Sequence, residues 1–286
     1  MDEDFDVSKL TIEQALQFLK DEKTSSQLIT DQYYKLISVV KTLKVLLSPK
    51  SLTYDDFKAS FYWNVTLDDG FIYVYETNNP WTDQSFQEFK QIIDLIANDR
   101  TIIGVIFNPR QMYSGQLGIL TDMLKHHPSI RTFDIKLFSL RYPFNSADFP
   151  VLMDLFNNKN NIQTFKFSDS KLNTDNLILL TDMLSTNDTL ISLELLVAGI
   201  NDNQIKILSK GLEKNHSLRS LVLKGYTITD IGIQYFIDML DHNTFITDID
   251  IGTTTFFNKE LLDILNKKLH DNRFSRSLLV DLLNIL

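Results

Sequence analysis

The sequence predicts an α/β solenoid: a curved stack of strand–helix units with a parallel β-sheet on the concave side, α-helices on the convex side and an N-terminal helical cap. Three observations predict it. Nearly the same pentapeptide is written three times, as LTDML at 120–124 and 180–184 and as FIDML at 236–240. A pattern apolar-x-x-apolar-x-apolar starts at 102, 130, 162, 190, 218 and 246, a spacing of 28 broken by one step of 32. After each start the apolar period changes from that of a strand to the three-and-four spacing of a helix.

The elements follow in chain order. Residues 11–48 read as helical, with Thr11 and Gln14 as a capping box and Leu36, Val40, Leu43 and Leu47 as a stripe. FYWNVTLDDGFIYVYET then reads as two aromatic-rich strands turning at Asp68-Asp69-Gly70. The next stretch is helical, with Phe89, Ile92 and Ile96 in the register of the later helices. This divides the chain into 1–60, a helical cap or a small interaction domain; 61–100, a hairpin and irregular first unit; 101–272, six regular units; and 273–286, a C-terminal cap whose SLLVDLLNIL closes the last unit or binds another chain.

Within the regular units the strand column reads Val105, Phe133, Phe165, Leu193, Leu221 and Ile249. The helix column that contains the pentapeptides reads Leu120, Leu152, Leu180, Leu208, Phe236 and Ile264, and one strand plus one helix buries such a stripe only when copies stack. Ser114, Ser146, Thr174, Asp202, Asp230 and Asn258 recur where each helix starts and are all of N-cap type. Asn187, Asn215 and Asn243 recur three residues before a strand pattern, where asparagine turns a chain by accepting a left-handed conformation.

These columns resemble the ribonuclease-inhibitor-like class of leucine-rich repeats, also found in tropomodulins, in activators of the Ran GTPase and in animal innate-immunity receptors. In SLRSLVLKGYTITDIGIQYFIDMLDHN, residues Leu218, Leu221, Leu223, Ile228, Asp230 and Gly232 fall on the family's L-x-x-L-x-L-x-x-N-x-I-x-D-x-G. The resemblance covers about residues 100–272. It departs at the ninth position, where the family's Asn or Cys is replaced by Arg110, Phe138, Ser170, Ala198, Tyr226 and Thr254. The resemblance implies a protein-binding module, and bacterial effectors carrying eukaryotic-type repeats fall in the same description. It also implies two alternatives: a regulator of a small GTPase, with Arg110 as the ninth-position arginine, and an actin-binding protein like tropomodulin.

Composition narrows the function classes. A net charge of −9 disfavours a broad nucleic-acid surface, and no run reaches the roughly 18 apolar residues of a membrane span. The acidic start MDEDFDVSKL is unlike a secretory signal, so a cytoplasmic protein, or one delivered into a host cytosol, is expected. With no cysteine there is neither thiol nucleophile nor Cys-based zinc site. His126, His242 and His270 share one position of the unit but lack a third ligand, and no phosphate loop or nucleophile elbow occurs. The expectation is no enzyme, no metal and no cofactor. Asn-x-Ser/Thr matches at Asn64, Asn187 and Asn215 read as turn chemistry in the last two cases.

What remains is surface. The outward strand positions of the concave face include Ile106, Asp134, Lys166, Glu194, Val222 and Asp250 in one row and Lys136, Leu196 and Lys224 in the next. Mixed charges with apolar members suit a protein partner better than a nucleic-acid backbone. The four-residue insertion adds Arg141 and Tyr142 as a second candidate contact, since both residue types are enriched in interfaces. Oligomeric state is not written in the sequence.

Overall fold

The computed structural model describes residues 52–58, 60, 62–77, 82–109, 114–137, 146–157, 160–169, 172–197, 200–224, 227–252 and 257–285. The expected helices at 11–48, all six ninth-position residues, Arg141 and Tyr142 lie outside them.

A hairpin of β1 (Trp63–Asp68) and β2 (Phe71–Glu76) opens the described fold. Its two-residue loop is Asp69-Gly70, with φ of 46° and 78°, the pair of left-handed residues that matches the twist of tight hairpins. Thr82 caps α1 (Asp83–Asn98) by accepting from the Ser85 amide. Strand and helix then alternate: β3 (Gly104–Asn108), α2 (Ser114–His126), β4 (Thr132–Leu137), α3 (Phe149–Asn157) after a 3-10 turn, β5 (Thr164–Asp169), α4 (Thr174–Thr186) and β6 (Ser192–Val197). The series ends with α5 (Asp202–Leu212), β7 (Ser220–Leu223), α6 (Asp230–Leu240), β8 (Asp248–Asp250) and α7 (Lys259–Ile285).

All eight strands form one open sheet in chain order, antiparallel between β1 and β2 and parallel from β2 to β8. Register is unshifted between regular units: Phe133 pairs with Phe165, Phe165 with Leu193 and Leu193 with Leu221. These side chains and the pentapeptide residues Leu120, Leu180 and Phe236 are fully buried between sheet and helices. Each such side chain contributes about 1.5–3 kcal/mol of transfer free energy. Phe149 packs on Phe167 and Phe156 on Phe165, joining the helix layer to one face of the sheet. At the first edge Trp63 is fully buried, stacks on Phe107 and donates its indole N–H to Ser85 O at 3.1 Å.

Three local expectations change. First, the N-cap sits one residue earlier in three units. Asn173, Asn201 and Thr229 accept from helix amides, while Asn258 caps α7 as expected. The displaced Asp202 instead accepts from the Thr229 and Gly232 amides of the next unit, at 2.8 and 3.1 Å. Asp230 likewise accepts from Asn258 N at 2.8 Å.

Second, no asparagine of the Asn187 column has positive φ; Asn187 is extended at φ −74°. These side chains are buried and join successive units. Asn187 donates to Phe156 O, Asn215 to Leu184 O and Asn187 O, and Asn243 to Leu212 O and Asn215 O. Their oxygens accept from amides of the strand ahead, as Asn215 does from Ser217 and Leu218 at 3.0 and 2.7 Å. His127 takes the same place earlier in the stack, its Nε2 3.0 Å from Ile96 O while Nδ1 accepts from Ile130 N. Side-chain hydrogen bonds between units thus occur at both turns, through the asparagines where helix turns into strand and through Asp202 and Asp230 where strand turns into helix. The buried, engaged amides of Asn187 and Asn215 are closed to glycosylation.

Third, α7 begins one residue late in its unit, so its inward column moves by one. Ile264 is 39% exposed, and Leu265 and Leu269 are buried in place of Ile264 and Lys268.

Candidate functional site

The sheet face turned away from the helices carries three rows of side chains, because alternate strand residues point there and the parallel register aligns them. One row runs Tyr73, Ile106, Asp134, Lys166, Glu194, Val222 and Asp250. Beside it lie Tyr75 with Asn108, and Lys136, Ser168 and Leu196. Thr132, Thr164, Ser192 and Ser220 make a third row of small hydroxyl side chains, which keeps the strand entrances low.

Lys166 Nζ lies 3.0 Å from Glu194 Oε2, so two of the residues singled out in the sequence form an ion pair across β5 and β6. Lys136 Nζ lies 3.4 Å from Asp134 Oδ2 along β4. Half-buried Leu196 and Val222 adjoin the first pair, and Lys224 and Asp250 are exposed. Ile106 and Asp134, by contrast, are closed to solvent at 6% and 7%, and Ser168 at 1%. The rows thus divide into a closed zone formed by Ile106, Asp134 and Ser168 and an accessible zone that begins at Lys166 of β5 and runs to β8.

In the closed zone Asp134 Oδ1 and Ser168 Oγ make no hydrogen bond. Burial pushes the Asp134 carboxyl above its ordinary range, against the opposing pull of Lys136 and Lys166; Glu194 adds to the rise. Tyr73 and Tyr75 extend the face onto β2, their rings stacked 6.4 Å apart. Sequence reasoning left them out because β2 precedes the regular units; the alternation in FIYVYE was the available signal.

His126, His242 and His270, which share a repeat position, are all exposed. His126 is exposed on α2 and bonds through Nδ1 to Asp122 O at 2.8 Å, while His270 lies on α7 beside Asp271. His127, which the sequence did not single out, is the buried structural one.

Neither a protein-family model nor a curated protein sequence matches this chain. Among solved structures, leiomodin-1 actin-binding site 2 is similar at 12% identity and a TM-score of 0.37, covering 72% of this chain and 99% of that one.

Proposed function

We propose that this chain is a non-catalytic protein-binding module, curved so that the row-bearing face is concave, and that its partner docks on the accessible zone from Lys166 of β5 to β8. The observation that supports this most is the Lys166–Glu194 ion pair beside half-buried Leu196 and Val222. Apolar anchors next to a charge pair provide both contact area and orientation, the mixture found in specific protein interfaces. In this reading Lys224 and Asp250 form the polar rim, while Ile106 and Asp134 support the face from below. The module works in a cytosol, and delivery into a host cell as a bacterial effector is its narrower form.

Exchanging the charges in a Lys166→Glu/Glu194→Lys variant preserves an ion pair but inverts the pattern offered to a partner. Quantitative affinity capture from cell extract is expected to lose at least about tenfold of the partner recovered by the unaltered protein, with the far-ultraviolet circular dichroism of the fold retained. The same partners captured at the same affinity would exclude this face.

A further inference from the structure

On α2 to α6 the residue just before each inward leucine or phenylalanine is apolar: Ile119, Val151, Leu179, Ile207 and Tyr235. Four of them are half-buried between helices. On α4 the pattern changes, because Leu179 is 38% exposed and Ile178, directly before it, 42%. The equivalents of Ile178 are Gly118, Pro150, Lys206 and Gln234, so α4 alone among these helices sets two large apolar side chains side by side in water. Asp175 lies one turn before this pair and Asp182 one turn after it. Spacings of three and four keep the four side chains on one stripe, opposite buried Leu177, Leu180 and Leu184. Both aspartates are exposed, and neither forms an ion pair among the described residues. Asp175 suits the first turn of a helix, but Asp182, in the third, has no such role.

The neighbouring helices mark the limits of this patch. On α3, half-buried Val151 is in register with Leu179, and Asp154, in register with Asp182, is held by Lys125. On α5 the charge reverses: Lys206 lies over the Tyr235 ring at 5.6 Å, turned toward α6, and Lys210 stands in register with Asp182.

Charge decides what fits on the stripe. A second copy laid upon it would set aspartate against aspartate in a protein of net charge −9, and an anionic lipid surface would meet the same repulsion. A basic helix meets neither obstacle. At a rise of 1.5 Å per residue the two aspartates stand about 10 Å apart along α4, the separation of two basic residues seven apart on a helix running alongside. From the exposed apolar pair, the free aspartates that bracket it and the change of charge at α5, we infer that the outer stripe of α4 is a second docking surface, separate from the sheet face. Its partner is an amphipathic helix in which basic residues at seven-residue spacing flank an apolar turn. That turn covers Ile178, Leu179 and Val151, and the basic residues meet Asp175 and Asp182. Apolar contact supplies most of the attraction, and the exposed charge pairs select the register.

The probe is a fluorescently labelled helical peptide in which leucine pairs recur between lysines seven residues apart; its twin carries glutamates in place of the lysines. Fluorescence anisotropy with the full-length protein is expected to show saturable binding of the lysine peptide and none of the glutamate peptide. In Asp175→Lys/Asp182→Lys, the lysine peptide is expected to bind at least about tenfold more weakly and the glutamate peptide to bind. The same charge change at exposed positions of α1, in Asp83→Lys/Asp94→Lys, measures attraction by net charge alone and is expected to shift affinity by no more than about twofold. Ile178→Ser/Leu179→Ser removes the apolar pair at the surface and is expected to abolish binding with circular dichroism retained. Absence of lysine-peptide binding overturns the inference, as does a loss in the α1 variant equal to that in the α4 reversal, or binding that survives the serine pair. So does a dimer in sedimentation, or capture by phosphatidylserine vesicles, that the serine pair removes: the first assigns the stripe to a second copy, the other to a membrane.

Discussion

Asn215 satisfies two carbonyl groups of the preceding unit and two amides of its own strand entrance, all in the interior. An Asn215→Ala substitution leaves those groups without partners. The expected loss is about 3 kcal/mol, read as a lowered urea midpoint. Asp134 is the opposite case, a buried carboxyl whose ionisation the fold resists. Its folded pKa is raised, so the unfolded chain releases the proton first, and stability falls as pH rises from the ordinary carboxylate range through the folded value. It falls because the unfolded state binds fewer protons across that window. Asp134→Asn removes this contribution; the melting temperature of the variant relative to the parent is expected to be higher at about pH 7 than at about pH 4. At this scale, residue type was legible and role was not. The recurrence of asparagine announced a turn, but the partners of a side chain depend on the neighbouring unit, which a local turn rule does not contain. Hence Asn215 was assigned a backbone conformation where the fold gives it hydrogen bonds, and His127 was passed over for the exposed His126.

The helices show where periodicity is sufficient. The inward columns of α2 to α6 are all buried as their spacing requires, since three-and-four repeats admit only one inward face. The last helix departs because it starts one residue late, and a column extrapolated at constant spacing cannot register that shift. Cap positions slipped by one for a related reason. At the three slipped starts two adjacent polar residues both suit an N-cap, and in two of them Asp202 and Asp230 are taken by bonds forward to the following unit. Helix contacts also separate two glycines that look alike in sequence. Gly211→Ala forces a methyl group against the Thr181 backbone and is expected to destabilise by about 1–3 kcal/mol. Gly118→Ala, with open space around it, is expected to stabilise by about 0.5–1 kcal/mol through helix propensity. Parallel thermal melts of the two variants, shifting in opposite directions, check this pair.

At the scale of the molecule, the alternating order, the open sheet and the hairpin at Asp69-Gly70 were all legible, because each follows from a period or a turn signal. The division of the outward face was not. Alternation assigns Ile106 and Lys224 to the same face, yet one is closed and the other open, a difference set by surroundings that no strand pattern records. The sheet edges are treated differently too: β1 adds an antiparallel strand with a buried tryptophan, and β8 is a three-residue strand bearing two aspartates, which discourages pairing with another chain. The asparagine amides share a direction: from Asn187 through Asn243, each donates toward the unit before it. A ribosome releases this protein in that same order. Each of these bonds therefore reaches back to chain already made, like a course of masonry keyed into the one beneath, and none of them waits for chain still unmade.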